Sequence, residues 1–287
     1  MRASTIRTIL VSVRGVRAEE APLRQAVALV RALDGHLQVL HAQPRPQEAV
    51  VTSRGADYQL SGGAWLLEGL GETAAERDAV ARHQFETICA EPKLRAAGGR
   101  AGAEWIAVPG IEAECVAQFG RTADLVLVHR PVDPDLGSLE VLQAALFQTG
   151  RPILILPSGA HVRPGGTLIL AWKDKPEAAR AVTAAMPFIL SAERLVVVSV
   201  EEGESGEDGS AERIVQTLGR HNAATSLVRL PTDGRSAEDL LLEEAANQDA
   251  SMLLMGGYGH SRTREAVFGG VTRSVINRAS IPVLMMH

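Results

Sequence analysis

The chain has 287 residues, which is room for about two domains of roughly 100–200 residues each. Its 46% hydrophobic and 22% charged residues exclude general disorder, which combines few apolar residues with a large net charge. A net charge of −5 with only 3% aromatic residues speaks against a basic, base-stacking nucleic-acid surface, and no apolar run approaches the roughly 20 residues of a membrane span.

In chain order, Thr8-Ile9-Leu10-Val11-Ser12-Val13 predicts a first strand. Basic residues precede it, but Ile9-Leu10-Val11 is too short for the core of a secretory leader. A helical pattern from Glu19 to Asp34 and a second strand at 37–42 follow. Between Gln43 and Gly71 the chain carries an excess that includes Ser61-Gly62-Gly63-Ala64-Trp65. We expect a loop here, serving as a surface or subunit contact, a lid, or a disordered stretch. Further strands are expected at 103–108, 124–129 and 152–156. Cys89 and Cys115 stand in no metal or redox spacing and read as buried free thiols, with the reducing cytoplasm as the expected compartment.

The Gly- and Pro-containing stretch Ser158–Gly166 reads as a linker. Beyond it the pattern repeats. Thr167-Leu168-Ile169-Leu170-Ala171-Trp172 matches the first strand, and helices at 176–190, 210–221, 236–247 and 271–279 alternate with strands at 194–200, 224–230, 251–256 and 282–286. Runs such as Val196-Val197-Val198 are continuously apolar, as strands covered on both faces are. The expectation is α/β: two tandem doubly wound, flavodoxin/Rossmann-like domains at 1–158 and 165–287, each with a five-strand parallel sheet in the order 3-2-1-4-5. That order leaves the apolar last strands, 152–156 and 282–286, at sheet edges. Such edges call for cover, and contact between the two strands is expected, within one chain as a pseudo-dimeric monomer or across a homodimer.

The stretch Gly256-Gly257-Tyr258-Gly259-His260 through Phe268-Gly269-Gly270-Val271-Thr272-Arg273 leaves a strand with two glycines and enters a helix with two more. Ligands of open α/β sheets bind outside the carboxyl ends of the strands. Glycines there let backbone N–H groups approach a phosphate, and the next helix N-terminus adds partial positive charge. Thr272 offers a cap or a hydroxyl. The alternative is that the glycines only make turns. The spacing is not that of a Walker loop. The eight histidines form no zinc pattern, no Gly-x-Ser-x-Gly elbow is present, and the acidic run Glu201–Asp208 reads as a solvated loop.

Gly256-x2-Gly259-x9-Gly269, with the ending Val275-Ile276-Asn277-Arg278-Ala279-Ser280-Ile281-Pro282-Val283-Leu284, resembles the signature of universal stress proteins, and the whole chain resembles a tandem member. The resemblance implies an adenine nucleotide, ATP or a relative, held by Ala171, Lys173, Asp174, Val200, Gly256, Gly259, His260, Gly269, Gly270, Val271 and Thr272. It also implies a cytoplasmic stress-response protein that acts by binding and partner contact. The alternatives are a slow ATPase using the same loop and a dimerising scaffold that binds no nucleotide. Two positions depart from the family. Gly270 stands where the family has Ser or Thr, and Lys173 stands where its ATP binders have Asp, with Asp174 one residue beyond. A Lys accepts no hydrogen bond from a ribose hydroxyl. In the first half, Arg14-Gly15 follows the first strand, and Val128-His129-Arg130-Pro131-Val132-Asp133-Pro134 replaces the glycine loop. That half reads as the fold without the nucleotide site.

Overall fold

The structure is a computed structural model. It describes residues 6–43, 63–89, 102–130, 138–160, 162–163, 165–201, 209–257 and 270–287. The first half contributes β1 (Thr8–Val13), α1 (Glu20–Leu33), β2 (His36–Gln43), α2 (Gly63–Cys89), β3 (Gly102–Pro109), α3 (Glu112–Gly120), β4 (Leu125–His129), α4 (Leu139–Gln148) and β5 (Ile153–Leu156). The second contributes β6 (Thr167–Ala171), α5 (Pro176–Ile189), β7 (Arg194–Glu201), α6 (Ser210–Gly219), β8 (Thr225–Pro231), α7 (Ala237–Asn247), β9 (Met252–Gly256), α8 (Gly270–Arg278) and β10 (Val283–Met286).

The ten strands form one sheet in the order β3-β2-β1-β4-β5-β10-β9-β6-β7-β8. Each half has the expected order 3-2-1-4-5, and its internal pairs are parallel. The joint between halves is antiparallel, with Ile155 opposite Val283, Leu154 opposite Leu284 and Ile153 opposite Met285. The Leu154–Leu284 pair marks a pseudo-twofold axis. The expected contact between last strands is therefore made within one chain, and the two five-strand sheets are one mixed sheet. Pairing covers the apolar edges that would otherwise template aggregation.

Alternation along each strand feeds two cores, one on each face of the sheet. Ile9, Val11, Leu125, Leu127, Leu168, Leu170 and Leu254 point to the face covered by α1, α2, α5 and α6. Leu10, Val126, Val128, Ile169, Val196, Leu253 and Met255 point to the face covered by α3, α4, α7 and α8. Both cores run through both halves, so the pseudo-dimer shares its interior. The helices start and stop by local chemistry. Ser138 and Ser236 accept the backbone N–H of Val141 (3.0 Å) and Asp239 (3.2 Å) at the starts of α4 and α7, satisfying end donors that lack a helical partner. Pro176 opens α5, where its missing N–H costs nothing.

Two expectations change. The excess after β2 is not all loop, because Gly63–Cys89 is a 27-residue helix, while residues 44–62 lie outside the described residues. Thr272 does not cap α8, since that helix starts at Gly270 and Thr272 is its third residue. Cys89 and Cys115 are buried thiols outside any disulfide, as expected. Burial pushes the Cys89 thiol up to about 12, so it is an inert packing group. No helix among the described residues is long and apolar enough to cross a membrane.

Candidate functional site

The second half's site lies at the carboxyl edge of β6, β7 and β9. Ala171 ends β6, opposite Val198 of β7 and Met255 of β9. Gly256 ends β9, and Val200 lies two residues beyond Val198 on β7, opposite Leu230. The chain leaving β6 is anchored by Trp172, whose backbone N–H donates to the Val198 carbonyl (2.9 Å) and whose indole Nε1 donates to Ser210 Oγ at the start of α6 (3.2 Å). Lys173 and Asp174 follow, both exposed, and Asp174 Oδ2 stands 3.6 Å from Arg213 Nη2. A carboxylate thus rises beside the switch point, one residue later than the family's, already facing a guanidinium.

The structure accounts for Gly256 by packing. A Cβ there would sit 2.6 Å from the Ala178 nitrogen and 2.7 Å from the Glu177 carbonyl carbon, inside the backbone of α5. The first glycine of the motif lets α5 close onto β9. A Cβ on Gly270, by contrast, would meet nothing within 4 Å. Gly270 is exposed at the first turn of α8, where helix N–H groups lack intrahelical partners and carry partial positive charge. Val271 is half-buried, and Thr272 turns inward with Val275 and Ile276 at 7%, 0% and 2% exposure. Thr272 thus belongs to the buried face of this turn, and Gly270 to its exposed face. The structure thus gathers Ala171, Lys173, Asp174, Val200 and Gly256 along one edge, with Gly270 at the helix that follows. Gly259, His260 and Gly269 lie outside the described residues, as do Glu202–Asp208 of the acidic run. Sequence reasoning passed over Glu177, in the first turn of α5. Its side chain is 18% exposed, and its Oε2 is buried without a hydrogen-bond partner.

The first half presents a different edge. Asp124 and Ser251 donate their backbone N–H to the Thr8 and Thr167 carbonyls respectively, which fixes Arg14 as the counterpart of Lys173. Gly15 comes next, at φ +79°. A Cβ there would lie 1.9 Å from the Arg77 carbonyl oxygen of α2. Helix α2 is thus seated on the end of β1. Asp78 of α2 accepts from Gln43 Nε2 (2.7 Å) and lies 3.2 Å from His41 Nε2, while His41 Nδ1 lies 2.9 Å from the Val13 carbonyl. Carboxylates come from elsewhere in the chain. Glu19, 1% exposed, accepts the backbone N–H of Arg14 (2.7 Å), Gly15 (2.9 Å) and Val16 (3.0 Å). Glu112, at the start of α3, accepts from the Ser12 hydroxyl. Burial pushes the Glu19 carboxyl up to about 7 against the opposing pull of those amides and of Arg14. Burial likewise raises Glu112, opposed by Ser12, Arg14 and His41. No acid stands directly after β1, yet Glu19, six residues past its end, and Glu112 fill the place. Residues 131–137, most of the stretch that replaces the glycine loop, lie outside the described residues.

This is the class of doubly wound α/β proteins whose ligands sit at the carboxyl edge of the sheet. Residues 171–287 match the model of the universal stress protein family. A 76-residue stretch is 34% identical to the universal stress protein Slr1230 of Synechocystis sp., covering 26% of this chain and 24% of that protein, so the match spans about a quarter of that relative. The whole fold is similar to a universal stress protein from Archaeoglobus fulgidus, at 14% identity and TM-score 0.69 over 97% of this chain and 95% of that one. It is also similar to a functionally unknown protein from Pseudomonas aeruginosa, at 15% identity and TM-score 0.57 over 98% and 92%. The sequence match to that family thus lies in residues 171–287, and the fold of nearly the whole chain is similar to that of a solved universal stress protein.

Proposed function

We propose that the second half binds one adenine nucleotide per chain, ATP or a relative, and that the protein works by binding and partner contact rather than turnover. The observation that carries this reading is the asymmetry between the two carboxyl edges. In the second half the helix after β9 begins with an exposed glycine over open space, at the place where the family resemblance puts the phosphates. In the first half the matching edge is occupied by the protein's own α2, Glu19 and Glu112. In this reading the backbone N–H groups around Gly269–Val271 receive the phosphates, Gly259 and His260 line the loop, and Ala171 and Val200 flank the base. Lys173 meets a phosphate, and Asp174 supplies the acceptor to the ribose after releasing Arg213.

A second reading, a scaffold that takes no nucleotide, draws on Lys173 at the acid's position and on the pairing of Asp174 with Arg213. Calorimetry with ATP separates them. We expect one site per chain, weakened at least tenfold by Gly259→Val, because a side chain there blocks phosphate approach. Two equivalent sites, or no heat and no thermal shift with ATP, defeats the proposal.

A further inference from the structure

Arg130 and Gly257 occupy equivalent places in the two halves. Each is the residue after the fourth strand, and each donates its backbone N–H to the last strand, Arg130 to Leu156 (3.2 Å) and Gly257 to Met286 (2.7 Å). The side chains differ completely. Gly257 has none, and a Cβ there would press on Met285 of its own half at 3.1 Å. Arg130 instead reaches across the pseudo-twofold axis. Its Nη1 donates to the Asn277 carbonyl (3.3 Å) and the Ala279 carbonyl (3.4 Å) at the end of α8. These carbonyls lie in the last turn of the helix and just past its end, where no following N–H completes the ladder and the partial charge is negative. The basic residue in that turn, Arg278, is engaged elsewhere, with Nη1 2.6 Å from Asp239 Oδ1 of α7 and 3.4 Å from Ser274 Oγ.

We infer that Arg130 is a positioning residue through which the first half holds α8 of the second half. It fixes the pitch of the helix whose first turn faces the carboxyl edge. The first half has a charged arm at the place where the second half has a glycine. The residue lies on the opposite half from the ligand and, on this geometry, touches none. The consequence for ligand affinity rests on the nucleotide reading above; the anchoring of α8 does not.

The test uses the full chain, with Arg130→Ala and Arg130→Lys. Without ligand, hydrogen exchange of the 270–278 amides should quicken in Arg130→Ala and be partly restored by Lys, which keeps the charge but makes a poorer two-carbonyl contact. Exchange in α7 should stay the same. Titration with ATP should show roughly two- to thirty-fold weaker binding in Arg130→Ala, the range expected from losing a cation at a helix C-terminus, again with partial rescue by Lys. Unchanged exchange in α8 overturns the inference; quickened exchange with unchanged ATP affinity upholds the anchoring and overturns its consequence for ligand binding. If wild-type protein takes up no ATP, the nucleotide reading falls, and α8 exchange still decides whether Arg130 anchors the helix. Should Arg130→Ala fail to fold, Arg130→Gln, which keeps one donor without the charge, replaces it under the same criteria.

Discussion

Single residues at the two carboxyl edges carry different burdens, and glycines show it most directly. Gly15 combines positive φ with a backbone oxygen where its Cβ would be, Gly256 has α5 backbone at the same spot, and Gly270 has open space. In urea titrations we expect Gly15→Ala to cost at least about 2 kcal/mol, through strain and a clash with α2. Gly256→Ala should cost about 1–3 kcal/mol through overpacking, and Gly270→Ala should stay within about 0.5 kcal/mol. A costly Gly270→Ala would mean that this turn is closed, against the proposed site. Glu19 adds a pH dependence. Its folded pKa of about 7 lies above its ordinary value of 4.5, so the folded state holds the proton longer than the unfolded chain does. Stability is therefore greatest for this group at or below pH 4.5 and falls as pH rises to about 7, by about 3 kcal/mol at most. Comparing the wild type with Glu19→Gln at pH 5 and pH 8 isolates this contribution. The wild type should lose stability relative to the variant over that interval, and parallel losses would mean that Glu19 titrates normally.

Elements were legible in the sequence to the extent that their signals were local. The central strands are continuous apolar runs between breakers and β2, β3 and β8 are mixed, and the strands appear where the expected segments fall. Helices α5 and α7 begin at or beside Pro176 and Ser236, residues that suit helix starts for reasons of backbone chemistry. Replacing Ser236 by Ala should cost about 1 kcal/mol, measured by thermal unfolding, because the Asp239 N–H loses its acceptor; no change would leave that cap without energetic weight. Helix α2 was not legible. Gly63, Gly69 and Gly71 weaken helix propensity at its start, and the contacts that justify it are tertiary. Gly15, His41 and Gln43 receive it, and Phe85 tilts against Trp105 at 5.5 Å between ring centroids. The candidate site divides in the same way. A glycine-rich βα connection is visible as spacing, but the reason for Gly256 is a helix more than 70 residues earlier in the chain.

For the whole molecule, the antiparallel β5–β10 joint turns two halves into one sheet with two continuous cores. Leu284 is 1% exposed and Leu154 0%. We expect Leu284→Ala to cost about 2–5 kcal/mol and to lower the stability of both halves in a single transition, with exchange in β1 and β6 rising together. Separate transitions, only one of them shifted, would show that the halves fold independently.

By itself the sequence determined the composition class, the repeat, the alternation of strands and helices within each half and the glycine-rich spacing of the second half, because apolar runs, breakers and motif spacing act over a few residues, whereas the expected strand order needed the sheet itself to bear it out. It also marked both last strands as apolar edges in need of cover. Only the tertiary structure decided that the cover is antiparallel and internal, since register across a pseudo-twofold axis depends on the shape of both halves at once. Only it decided that the first half's edge is filled by α2, Glu19 and Glu112, and that Arg130 reaches α8. Those contacts join residues 4 to 149 positions apart, and the longest of them leave no trace in local pattern because their partners meet only after the sheet has formed.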